Sequence, residues 1–93
     1  MKITINWEEI DNEEKFYDVF LPQVKAPKWH GRNLAALNDS LITGDINEIE
    51  PPYTIINMNT VSAKEKITDF QREVLYIFTD AAIKNKGIEV IIR

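Results

Sequence analysis

The chain has 93 residues, with 11 basic and 15 acidic side chains, one histidine, no cysteine and a formal net charge of −4. This length bounds one domain, residues 1–93, with a core that needs no staples, and the missing cysteines leave no disulfide framework and no thiol chemistry. A single histidine and three glycines (Gly31, Gly44, Gly87) exclude a Cys/His nucleophile pair, a histidine metal cluster and a phosphate-cradling glycine loop, so no catalytic residue, metal or cofactor is expected.

In chain order, Lys2 to Asn6 alternates apolar and polar residues and predicts a strand with Ile3 and Ile5 on one face. The alternation is unlike the continuous apolar core of a signal peptide, and no later run is long enough to span a bilayer. The expectation is therefore a soluble, cytoplasmic protein with no membrane contact. Trp7, just past the strand, reads as a core-edge residue. Asp11-Asn12-Glu13-Glu14 opens a helix with acids in its first turn and a buried stripe of Phe16, Val19 and Phe20. That helix is predicted to stop near Leu21-Pro22, because a residue before proline is driven from the α region.

Asn33 is the predicted cap of a second helix, which Gly44 ends. Leu34, Leu37 and Leu41 recur at i, i+3 and i+7 and form its buried stripe, whereas Ala35, Asp39 and Ile42 fall on an adjoining stripe roughly 100° round the cylinder. Pro51-Pro52 leads into Tyr53 to Met58, whose near-continuous apolar character suits a central strand covered on both faces. Ser62-Ala63-Lys64-Glu65 and Thr68-Asp69-Phe70-Gln71 each have capping-box spacing, so a short helical turn either precedes the long third helix or merges with it. Phe70, Val74, Leu75, Phe78, Ala81 and Ala82 give that helix its buried stripe, Lys84 and Lys86 complement its C-terminal dipole, and Gly87 is its predicted cap. Ile88 to Ile92 is the last strand. Strand, helix, helix, strand, helix, strand predicts an α/β fold: a three-stranded parallel sheet joined by right-handed crossovers, with three to four helices packed against it.

Between Arg32 and Lys64 the chain carries Asp39, Asp45, Glu48 and Glu50 and no basic residue, while the remainder balances at 11 basic against 11 acidic side chains. All the net charge therefore lies beside the second helix. Such a segment repels nucleic acid and steers basic proteins toward itself, unless its carboxylates are simply solvated loop residues. A carboxylate pair such as Asp39 with Asp80 offers the only candidate for acid/base work or cation binding, with no polar constellation around it.

The run Trp29-His30-Gly31-Arg32-Asn33-Leu34, followed by Ala36-Leu37, Asp39 and Leu41, resembles the signature of the barstar family, small inhibitors that plug ribonuclease active sites. The predicted element order is similar to the barstar fold over nearly the whole chain. The resemblance implies an immunity protein against a basic nuclease toxin, bound 1:1, with Asp39 making the central charge-assisted contact at the phosphate site. It also implies that Trp29 lies against the nuclease, that His30 fills the second aromatic position, and that Asp80 stands for a second, peripheral acid. Gly31 is expected to supply a positive φ, Asn33 to cap the helix and offer its amide to the partner, and Arg32 to reach the neighbourhood of Asp39 or solvent. Ala35 and Asn38 replace a carboxylate and a tryptophan of the best-known member, which points to a different partner nuclease, with Ile42 and the acidic residues from Asp45 onward as further contacts. A protein-binding adaptor on the same fold, using Trp29 and the acidic segment, is the alternative.

Overall fold

Three parallel strands, β1 (Lys2–Asn6), β2 (Tyr53–Met58) and β3 (Ile88–Ile92), form one sheet in the order β1-β2-β3 in this computed structural model, which describes residues 1–43 and 50–93. The expectations for Gly44, Asp45 and Glu48 lie outside the described residues. The register aligns Ile3 with Ile55 and Val90, Ile5 with Asn57 and Ile92, and Tyr53 with Ile88. Aligned residues share a face, because side chains alternate along each strand. Ile3, Ile5, Ile55 and Asn57 are fully buried on that face, and Tyr53 and Ile88 nearly so. On the other face Thr54, Ile56 and Ile91 are half-buried, and Lys2, Thr4, Met58 and Glu89 are exposed. The expectation that β2 is covered on both faces is thus corrected: its second face is only partly shielded, although Ile56 made the strand look uniformly apolar.

Among the described residues three α-helices accompany the sheet: α1 (Glu13–Gln23), α2 (Leu34–Thr43) and α3 (Thr68–Lys84). The α1 start is capped by Asn12, whose Oδ1 accepts the Lys15 N–H at 2.8 Å. Its end corrects the proline argument, because the helix runs through Pro22 to Gln23. Proline's fixed φ is itself helical, so in the last turn the loss is one hydrogen bond, and burial of Leu21 holds the preceding residue in place. Beyond it, Lys25 adopts φ 54, Ala26 N–H donates to the Leu21 carbonyl at 3.1 Å and Lys25 N–H to the Pro22 carbonyl at 3.2 Å. This is a Schellman closure with lysine in the left-handed position that glycine usually fills.

The core centres on Phe16. Its ring stacks on Trp7 at 5.6 Å and on Phe20 at 5.5 Å, and meets Phe70 edge-on at 5.5 Å; Phe78 completes the cluster against Phe20. Each fully buried ring contributes about 1.5–3 kcal/mol through area alone, with about 0.5–1.5 kcal/mol more per well-placed aromatic pair. Trp7 is fully buried rather than at the core edge: its indole N–H donates to Asn57 Oδ1 at 3.0 Å, and Asn57 Nδ2 donates to the Ile91 carbonyl at 3.2 Å. A buried polar residue on the central strand gives the indole the partner it needs.

Neither predicted capping box forms. Two 3-10 turns, Thr60–Ser62 and Glu65–Ile67, precede α3, and the Thr68 hydroxyl donates back to the Glu65 carbonyl at 3.0 Å instead of accepting from its own helix. At its other end α3 is capped by Asn85, not Gly87; Gly87 donates its N–H to Asn85 Oδ1 at 2.9 Å. Glycine is nonetheless required there, since a Cβ would lie 2.6 Å from Pro51 Cβ. The α3 stripe includes Ile77 and Gln71, both buried, while Leu75 and Ala82 are only half-buried.

Candidate functional site

The link between α1 and α2 is built to display one aromatic and bury the next residue. His30 N–H donates to the Pro27 carbonyl at 2.9 Å, closing a turn with Lys28 and Trp29 at its tip. Trp29 is 74% exposed, so it does not pack over its own core. His30 is buried, with Nδ1 donating to the Gly31 carbonyl at 2.7 Å and Nε2 without a hydrogen-bond partner. Across the same open cavity of about 240 Å³, lined by Leu21, Pro22, Pro27, Lys28 and Arg32, lies Tyr17, whose buried hydroxyl is also unpartnered. Burial first, then the nearby Glu13 and Glu14 charges, push that hydroxyl up to about 12, so it stays protonated.

Gly31 has no positive φ, which corrects the expectation. The residue is small because the chain passes tightly over α2: a Cβ would lie 3.0 Å from both Ala36 Cβ and Asn33 Nδ2. Asn33 caps α2, its Oδ1 accepting the Ala36 N–H at 2.8 Å while its carbonyl takes the Leu37 N–H at 3.1 Å. Arg32 turns to α1 rather than to Asp39, with its side chain still 36% exposed to solvent. Its Nε donates to Glu14 Oε2 at 2.9 Å, and its Nη2 donates to the Glu14 carbonyl at 2.9 Å and to Asp18 Oδ1 at 2.5 Å, with the guanidinium 5.8 Å from the Tyr17 ring centre. The Asp18 hydrogen bond, aided by Glu14, raises the arginine further above its usual value. The fork pins the display loop to α1. Sequence reasoning missed this clamp, although Glu14 and Asp18, four residues apart on one helix face, were its signal.

On α2 the leucine stripe is as predicted: Leu37 and Leu41 are buried and Leu34 is half-buried, with Ser40 buried beside them. Ala35 and Asp39 are exposed, Ile42 is 38% exposed and Asn38 is half-buried. The helix thus presents one carboxylate, Asp39, among Ala35, Asn38 and Ile42. Helix α3 packs against α2 and carries Asp80, whose carboxylate is paired with Lys84 at 3.0 Å within the same helix. That intrahelical partner was not foreseen for Asp80. Asp45 lies outside the described residues. Among the described residues no three of histidine, aspartate or glutamate are arranged to hold a metal ion, and no helix is long and apolar enough to cross a membrane.

A family model described as Barstar (barnase inhibitor) matches residues 1–93, the whole chain. The chain belongs to the barstar family. Barstar-family proteins are inhibitors rather than enzymes, and membership points to a ribonuclease of the barnase type as the class of partner. The parallel β1-β2-β3 sheet with three helices is consistent with the barstar fold. A search of curated proteins found no match to the chain.

Proposed function

We propose that this chain is a non-catalytic inhibitor that covers the active site of a cognate bacterial ribonuclease toxin, one protein to one, and so serves as a cytoplasmic immunity protein. The barstar-family match over residues 1–93 carries the reading. A ribonuclease must hold a polyanion, so its active site presents cationic donors to phosphate oxygens, and a carboxylate on a rigid helix competes for them. Asp39 is that carboxylate. Trp29 supplies an amphipathic anchor, Asn33, Ala35, Asn38 and Ile42 the flat ground around it, and His30 supports the loop from below. Asp80 adds a peripheral charge, and Asp45 extends the contact. Because Ala35 and Asn38 replace two anchors of the best-known family member, the partner is a nuclease with a different complementary surface.

The test is an activity titration of a small basic ribonuclease encoded beside this chain's gene. Inhibition complete at one equivalent supports the proposal; full nuclease activity in the presence of excess protein contradicts it.

A further inference from the structure

The two edges of the sheet are finished differently. In a parallel ladder the N–H and C=O of one residue point to the same side and alternate along the strand. On β1 the outward backbone groups include those of Thr4, and they are closed by α1: Gln23 Oε1 accepts the Thr4 N–H at 2.9 Å, and Gln23 Nε2 donates to the Thr4 carbonyl at 2.9 Å. The same nitrogen donates to the Val19 carbonyl at 2.8 Å, fixing the clamp to its helix. On β3, Gly87 gives its carbonyl to Tyr53 N–H at 2.9 Å and Arg93 gives its N–H to the Asn57 carbonyl at 2.8 Å. Alternation then turns Glu89 and Ile91 toward β2, and Ile88, Val90 and Ile92 outward. The Ile88 N–H is taken up by the Asn85 carbonyl at 3.0 Å. Among the described residues nothing pairs with the N–H and C=O of Val90 or Ile92. This open edge belongs to the most apolar strand of the sheet, Ile-Glu-Val-Ile-Ile, with Ile92 51% exposed.

We propose that β3 is a self-association edge, through which two copies of this chain pair antiparallel about a two-fold axis at Val90 and join their sheets into one. An edge of alternating donors and acceptors is matched by another copy of itself. With the axis at Val90, each Val90 N–H meets the Val90 carbonyl of the copy, and each Ile92 N–H meets the copy's Ile88 carbonyl. Val90 then lies beside Val90, Ile88 beside Ile92, and Ile91 beside Glu89, so most cross-strand pairs are β-branched. The contact is isologous and closes at two copies, and the Gln23 clamp on β1 stops growth from the opposite edge. Two five-residue strands bury far less than the roughly 1,200 Å² of a standard stable interface, so the dimer is weak. A charge of −4 on each copy opposes it, so salt strengthens the association by screening. The proposal does not rest on the inhibitor reading.

Amide hydrogen exchange and sedimentation equilibrium on the isolated protein test it, at concentrations up to about 1 mM and with salt raised to about 0.5 M. The expected result is a mass that climbs toward the dimer with concentration, more so at high salt, while the Val90 and Ile92 amides gain protection at least tenfold. Ile92→Lys, a change at an exposed side chain, should remain monomeric with its melting temperature unchanged. A wild-type monomer throughout, a dimer whose newly protected amides lie outside β3, or undiminished association of Ile92→Lys would each overturn the proposal.

Discussion

The indole N–H of Trp7 and the side-chain oxygen of Asn57 meet at 3.0 Å, both residues fully buried, joining the turn after β1 to the C-terminal end of β2. Asn57 also ties β2 to β3 through the Ile91 carbonyl. Replacing it with alanine removes both bonds, leaves a buried indole donor without a partner and opens a small void. Asn57→Ala should therefore cost about 2–4 kcal/mol in chemical denaturation, well beyond an ordinary surface change.

Lys25 closes α1 in the left-handed region at φ 54. A side chain there pays for a conformation glycine adopts freely, and the two Schellman hydrogen bonds require that conformation. Lys25→Gly should raise stability by about 0.5–1 kcal/mol, measured as an upward shift of the denaturation midpoint at constant slope.

Tyr17 and Tyr53 are both buried, and burial raises both hydroxyls, Tyr17 to about 12. Raised values mean that the folded state holds these protons more tightly than the unfolded chain. Their contribution is fully present below the ordinary value of 10 and is lost as the pH climbs from there toward about 12. An alkaline titration followed by tyrosinate absorbance should show two of the three tyrosines ionising late, together with falling thermal stability over that window.

Much of this was legible in the chain because periodicity reports burial. The three strands, the leucine stripe of α2 and the Asn33 cap follow from apolar spacing and one capping residue. What was not legible depended on tertiary partners. Pro22 stays in its helix because the packed Leu21 outweighs a local preference, and Gly31 is small because Ala36 and Asn33 crowd it, a contact invisible from its neighbours in sequence. Trp7 looked peripheral because its partner Asn57 lies fifty residues away. Around the candidate site, the exposure expected of Trp29 and Asp39 matches the structure, whereas the clamp of Arg32 on Glu14 and Asp18 required knowing that the loop returns over α1.

The Asp80–Lys84 pair partly neutralises the second acid proposed to face the partner. Lys84→Gln releases that carboxylate and makes the net charge more negative. Association with a basic nuclease should speed up a few-fold at low salt, an advantage that fades as salt rises, while stability falls by only about 0.3–0.5 kcal/mol.

The central claim is that Asp39 occupies a desolvated cationic site on the nuclease, and dissociation kinetics of the Asp39→Ala complex test it most directly. The variant should fold within about 0.5 kcal/mol of wild type, because the residue is exposed and off the leucine stripe. Its complex should be weaker by about 2–5 kcal/mol, mostly through faster release, because the partner's buried cations lose their counter-charge. A dissociation rate equal to that of the wild-type complex would contradict the account.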